Sequence, residues 1–258
     1  GGRGPLLFRT PAPLRPMFQP HFEPALSGKD DFSFGHTVAS CDAQVQLGFL
    51  RKVFGLVATQ LVATSIVCAL FMFSAGLQTF ALHNPSMLML TFFTSLGFLF
   101  ACQCYKDQHP TNLYLLGGFT LSMSWSIGTV CAQYAAHGLG LVVLQAVVLT
   151  ASVTVALTVF TLRSDRDFSF LGAGLGSAVW LLILGSLIAS ITGAAAMHVA
   201  LSVAGAAIFS LYIVFDVYMI SRRLSPDEYI SAAISLYLDI LNLFLHLLRI
   251  LAAMQRSD

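Results

Sequence analysis

The sequence predicts an all-α polytopic membrane protein with seven transmembrane helices, six in three hairpins around a central C-terminal helix. Three observations carry that expectation. The chain has 258 residues, 57% hydrophobic and only 10% charged, with mean hydropathy +0.79. A soluble domain carries about 25% charged residues. Next, stretches 53–105, 108–162 and 168–215 contain no Asp, Glu, Lys or Arg. They run to 53, 55 and 48 residues. One membrane span takes about 20 apolar residues, so each stretch accommodates two helices and a tight turn. Finally, a turn signal lies near the middle of each: His83-Asn84-Pro85, His137-Gly138 and Thr192-Gly193.

The elements follow in chain order. Residues 1–45 hold six of the nine prolines with scattered Arg, Gly and Asp, and read as a disordered cytosolic tail. The first long apolar run starts at Val53, deeper than a cleaved signal peptide would lie. Six spans are expected at about 53–75, 86–105, 112–133, 141–162, 169–190 and 196–220. Ser225-Pro226-Asp227-Glu228 then reads as a helix start, with Ser225 as N-cap and Glu228 closing a capping box. The seventh segment, Tyr229 to Leu248, is apolar apart from Asp239, Asn242, His246 and two serines. Its polar groups suit a helix buried among the other six.

Basic residues set the orientation. Arg51 and Lys52 precede the first span, Lys106 follows the second, Arg163 and Arg166 follow the fourth, and Arg222 and Arg223 follow the sixth. The hairpin tips carry no Lys or Arg, which places the N-terminus and the charged links in the cytosol. The net charge of +1 implies no nucleic-acid partner. The five cysteines are odd in number and mostly in apolar stretches, so buried thiols are expected, not a disulfide framework. Cys102-x-Cys104 lacks the spacing and the neighbouring His of a zinc site.

Asp216 and Asp239 are the only acidic residues inside the apolar stretches. An ionisable group at the bilayer centre costs roughly 2.5–3.5 kcal/mol on insertion scales. Two carboxylates in one low-dielectric site cannot both ionise cheaply, so an adjacent pair would respond to pH as a unit. Calcium suits carboxylate oxygens but takes 6–8 ligands, which makes any binding here weak and transient. Asp239, Asn242 and His246 fall at spacings of three and four, on one helix face. Lys106 is either an interfacial anchor or a latch for an aspartate. The two aspartates differ in expected depth by roughly 9 Å, so their meeting requires a bend, a tilt or a surface turn. A structural role also stands open: a bond from Asp216 to a neighbouring Tyr or Ser, or a pair between Asp239 and Lys106.

The segment Ile234-Ser235-Leu236-Tyr237-Leu238-Asp239-Ile240-Leu241-Asn242-Leu243-Phe244 resembles the C-terminal signature of the Bax-inhibitor-motif, or lifeguard, family. Gly48-Phe49-Leu50-Arg51-Lys52-Val53-Phe54, His109-Pro110-Thr111-Asn112-Leu113 and Phe215-Asp216 resemble other motifs of that family. The link Ser225 to Tyr229 and the closing Leu245-His246-Leu247-Leu248-Arg249 are most similar to its Golgi anti-apoptotic branch. The match covers about residues 46–253, so 46–258 is taken as the transmembrane domain. The resemblance implies two three-helix layers around a central helix. It also implies a pH-sensitive calcium leak from the Golgi or endoplasmic reticulum, with suppression of apoptosis as the output. The paired aspartates of the family, its pH sensor, fall on Asp216 and Asp239, and its latch falls loosely on Lys106. Calcium enters as the permeant ion, with no cofactor.

Two other functions compete. A non-conducting regulator would bind other membrane proteins of cell-death or calcium-store control. An intramembrane aspartyl protease would also use two aspartates, but it carries Gly-x-Gly-Asp, whereas Leu236-Tyr237-Leu238 precede Asp239 here. No enzymatic activity is expected.

Overall fold

A computed structural model describes residues 1, 37–40, 43–106 and 108–255. Most of the expected N-terminal tail lies outside the described residues. Within it, Val38–Ser40 forms a 3-10 turn, and the Val38 N–H donates to the Leu224 carbonyl at 2.9 Å.

Among the described residues eight α-helices follow: α1 Ala43–Phe73, α2 Ala75–His83, α3 Ser86–Cys104, α4 Thr111–Ala136, α5 Gly140–Arg163, α6 Leu171–Thr192, α7 Ala195–Arg222 and α8 Tyr229–Gln255. All except α2 are long and apolar enough to cross a membrane. Large apolar side chains such as Phe73, Phe100, Trp180 and Ile191 are exposed on them, as a surface bathed in lipid requires.

The three turn signals terminate helices where the sequence places them. Gly138 and Gly193 adopt positive φ angles of 80° and 65° that only glycine accepts readily. Pro85 separates α2 from α3.

Three features differ from the sequence reading. The first helix begins at Ala43, so Arg51 and Lys52 lie within it. Its 31 residues extend about 46 Å, well beyond a hydrocarbon core of about 30 Å. The extra turns are held because Phe49 and Val53 are buried and the Gln46 amide donates to the Ser221 carbonyl. Next, the chain breaks at Ser74 and continues as the short α2, where the Gln78 amide donates to the Ala132 carbonyl of α4. Finally, the first expected hairpin does not pack as a pair: α4 lies between α1 and α3.

The packing forms two triplets. Helix α4 is flanked by α1 and α3, and α7 by α5 and α6. Helix α8 packs against α1, α4, α5 and α7, so it stands between the triplets. Leu236, Tyr237, Leu243 and Leu248 of α8 are almost completely buried. The α8 start follows the expected chemistry: Pro226–Glu228 forms a 3-10 turn, and the Glu228 carboxylate accepts the Ser225 N–H at 3.0 Å.

Candidate functional site

Helices α7 and α8 follow one another in the chain, are joined by a short link and pack along their length. Two contacts one heptad apart define their register. Phe209 stacks on His246 with ring centroids 5.6 Å apart and planes at 24°. One heptad nearer the link, the carboxyl groups of Asp216 and Asp239 meet within hydrogen-bonding reach. Asp216 lies six residues before the end of α7 and Asp239 ten after the start of α8, a difference in rise of about 6 Å. Their meeting means that α8 starts beyond the end of α7 or is inclined to it. The Arg223–Ser225 link and the 3-10 turn supply that freedom.

The pair is enclosed. Asp239 is only 7% exposed and Asp216 is partly buried. Tyr212, one turn along α7 from Asp216, lies within electrostatic range of both carboxyls. No N–H or hydroxyl of the described residues reaches the buried Oδ2 of Asp239. Among the described residues the ion pairs are Arg222–Asp165 and Arg223–Asp167, and neither membrane aspartate takes part in one. Lys106 is not paired with them: its backbone carbonyl accepts from the Asn112 amide, and its ammonium forms no ion pair among the described residues. Asn242 also stays apart, donating to the Leu238 carbonyl within its own helix. His246 shares the α7-facing side of α8 with Asp239. Its ring sits over Gly205, where a methyl group would collide with the imidazole.

A family profile described as "Inhibitor of apoptosis-promoting Bax1" matches residues 46–257. The chain belongs to the Bax-inhibitor family. Among its relatives, the "Golgi anti-apoptotic protein" of vaccinia virus (strain Lister) is 42% identical, over 91% of this chain and 98% of that protein. "Protein lifeguard 4" of Mus musculus is 40% identical, over 91% and 97%. "Bax inhibitor 1" of Schizosaccharomyces pombe is 36% identical, over 89% and 85%.

The motifs that carried the Bax-inhibitor resemblance converge on α8. Tyr237, beside Asp239 in the signature, places its hydroxyl 2.8 Å from Thr64 Oγ1 of α1. Thr64 in turn lies 2.9 Å from the Ser124 hydroxyl of α4. The Tyr237 ring packs edge-on against Phe119, at 6.1 Å. The Asn112 amide donates to the Tyr229 hydroxyl at 2.8 Å, tying the start of α4 to the first residue of α8. Lys52 Nζ stands 3.2 Å over the Tyr229 ring, a cation–π contact at the same end. Sequence reasoning assigned Thr64, Ser124 and Asn112 no role. Thr64 and Ser124 carry no local signal, because their partners lie 60 and 173 residues away in the chain.

A second polar cluster closes the charged end of α7. The Tyr218 hydroxyl donates to Asp167 Oδ1 at 2.7 Å, the Ser169 N–H donates to the same oxygen at 2.8 Å, and Arg223 Nη2 reaches Asp167 Oδ2 at 3.3 Å. The Ser169 N–H, then the Tyr218 hydroxyl, hold the Asp167 carboxyl well below the usual carboxylate range, with a smaller contribution from Arg223. The cluster fastens the α5–α6 link to the end of the helix that carries Asp216.

Proposed function

We propose that this protein is a pH-sensitive calcium leak of an internal membrane, gated by Asp216 and Asp239. The observation that carries this reading is two membrane carboxyls facing each other across α7 and α8, with no ion pair to either among the described residues. A single proton between them joins the helices through an O–H···O bond. Losing it leaves two like charges together, which at 4 Å and an effective dielectric of 20 repel by about 4 kcal/mol. That energy moves a two-state equilibrium by about three orders of magnitude, enough to part α7 from α8.

Calcium is the permeant ion. Calcium takes 6–8 oxygen ligands and two aspartates supply only part of them, which suits weak contact on passage rather than tight binding. Basic links on one side of the membrane favour a cytosolic N-terminus. The Golgi name of the viral relative favours the Golgi, with the endoplasmic reticulum as the other internal store. Lowering store calcium is the route by which the protein suppresses cell death.

The test is calcium flux against pH with purified protein in liposomes. Asp216→Asn and Asp239→Asn each change the flux and flatten its pH dependence. Variants that leak like the parent at every pH refute the gate. Protection of cells with no flux at any pH identifies a non-conducting regulator of other membrane proteins. Protection lost on deleting residues 1–45, with the leak intact, assigns that regulation to the tail.

A further inference from the structure

Away from the aspartates, a cavity of about 730 Å³ lies between α1, α4, α5 and α8. It has the size of a small-molecule site. Phe73, Leu141, Leu144 and Val155 border it and are exposed on the apolar surface, so it is entered from the bilayer. Its lining is apolar apart from a few hydroxyls and two thiols, Cys68 of α1 and Cys131 of α4. Those thiols are neighbours across α1 and α4, both in the cavity wall, close to the Thr64–Ser124 and Phe71–Gly128 contacts of the same two helices. Cys131 is 1% exposed and Cys68 is less deeply buried. The helices carrying them pack tightly: a methyl group on Gly128 would meet the Phe71 ring at 3.2 Å.

We propose that Cys68 and Cys131 form a dithiol site that reduces lipid hydroperoxides entering from the bilayer and closes to a disulfide. A lipid hydroperoxide is apolar enough to enter this cavity, and its O–O bond is what a thiol pair cleaves. The more accessible Cys68 sulfur attacks the terminal peroxide oxygen. The O–O bond breaks, the lipid leaves as an alcohol carrying the thiol proton, and Cys68 becomes a sulfenic acid. Cys131 sulfur then attacks Cys68, forming the S–S bond and releasing water with its own proton and the sulfenic hydroxyl. Each lipid hydroperoxide gains two electrons and the two thiols lose two. The product staples α1 to α4 one turn from Thr64, the residue that holds Tyr237 of α8.

The experiment uses the full chain in phosphatidylcholine liposomes, treated with phosphatidylcholine hydroperoxide or with aqueous hydrogen peroxide. Non-reducing digestion and intact mass are read. Lipid hydroperoxide should remove two hydrogens from the mass, link the Cys68 and Cys131 peptides, and yield one lipid alcohol per disulfide. Cys131→Ser should stop at a Cys68 sulfenic acid that dimedone traps. Ala151→Trp keeps both thiols and narrows the cavity; slower oxidation by lipid hydroperoxide supports bilayer entry, and an unchanged rate overturns it. The proposal also falls if the exposed Cys104 oxidises while Cys68 and Cys131 stay reduced, or if aqueous peroxide links them as fast as the lipid form. Neither readout involves calcium, so its failure leaves the leak reading untouched.

Discussion

Gly205→Ala tests the register that brings the two aspartates together. Gly205 is buried within α7, directly beneath the His246 ring. A methyl group there collides with the imidazole, which also stacks on Phe209 with centroids 5.6 Å apart. Overpacking of this kind costs about 1–3 kcal/mol. Replacing glycine by alanine inside a helix returns about 0.5–1 kcal/mol, so the net loss is about 0–2.5 kcal/mol. In a His246→Ala background the collision vanishes and the helix gain remains, so the same substitution becomes stabilising. The coupling between the two sites is therefore about 1–3 kcal/mol, read as a double-mutant cycle. Thermal unfolding of detergent-solubilised protein measures it, since 1 kcal/mol moves Tm by about 2–4 °C at this size. Additive effects, or an equal loss with and without the imidazole, would refute the register. A displaced ring also pries α7 from α8 one heptad from Asp216 and Asp239, so Gly205→Ala should alter the pH response of the leak.

Other outcomes follow from the remaining polar contacts. Tyr237→Phe keeps the packing on Phe119 but removes the hydroxyl from Thr64, which still donates to the Gln60 carbonyl. The expected loss is about 0.5–1.5 kcal/mol, seen in thermal unfolding, and a larger value would mean that the hydroxyl does more than join α8 to α1. The Asp167 cluster should respond to pH in a defined window. Its folded carboxyl titrates below the ordinary value of about 3.9, so its stabilisation is complete above that pH and declines only as pH falls further. Unfolding measured from about pH 5 to 8 should show no pH-dependent contribution from Asp167, whose stabilisation is constant there. Asp167→Asn should therefore leave the midpoint of any leak titration near neutrality unmoved. A shifted midpoint would transfer the pH response from the aspartate pair to this cluster.

Much of the architecture was legible in the chain. Free energy of transfer is a local property of composition, so the uncharged stretches and their glycine and proline interruptions placed α3 to α7 within a few residues, whereas α1 starts ten residues earlier than expected. The same economy singled out Asp216 and Asp239, because a carboxyl in an apolar run is conspicuous. Ser74 gave no such warning. It is neither glycine nor proline, and α2 is held by a Gln78 bond to a carbonyl of α4, 54 residues distant. The stripe of Asp239, Asn242 and His246 was a correct periodicity with three different fates. Asp239 meets Asp216, Asn242 turns back on its own helix, and His246 fills the space above Gly205.

The sequence alone determined an all-helical membrane protein, its seven crossing segments and its two membrane carboxyls. It left a gap in depth between those carboxyls. Only the tertiary structure decided that they meet, that α4 separates α1 from α3, and that Cys68 lies beside Cys131. Hydropathy fixes how far into the membrane a segment lies. Which faces of two helices touch depends on shape between residues remote in the chain, as where Gly205 admits a histidine ring and so sets Asp216 against Asp239.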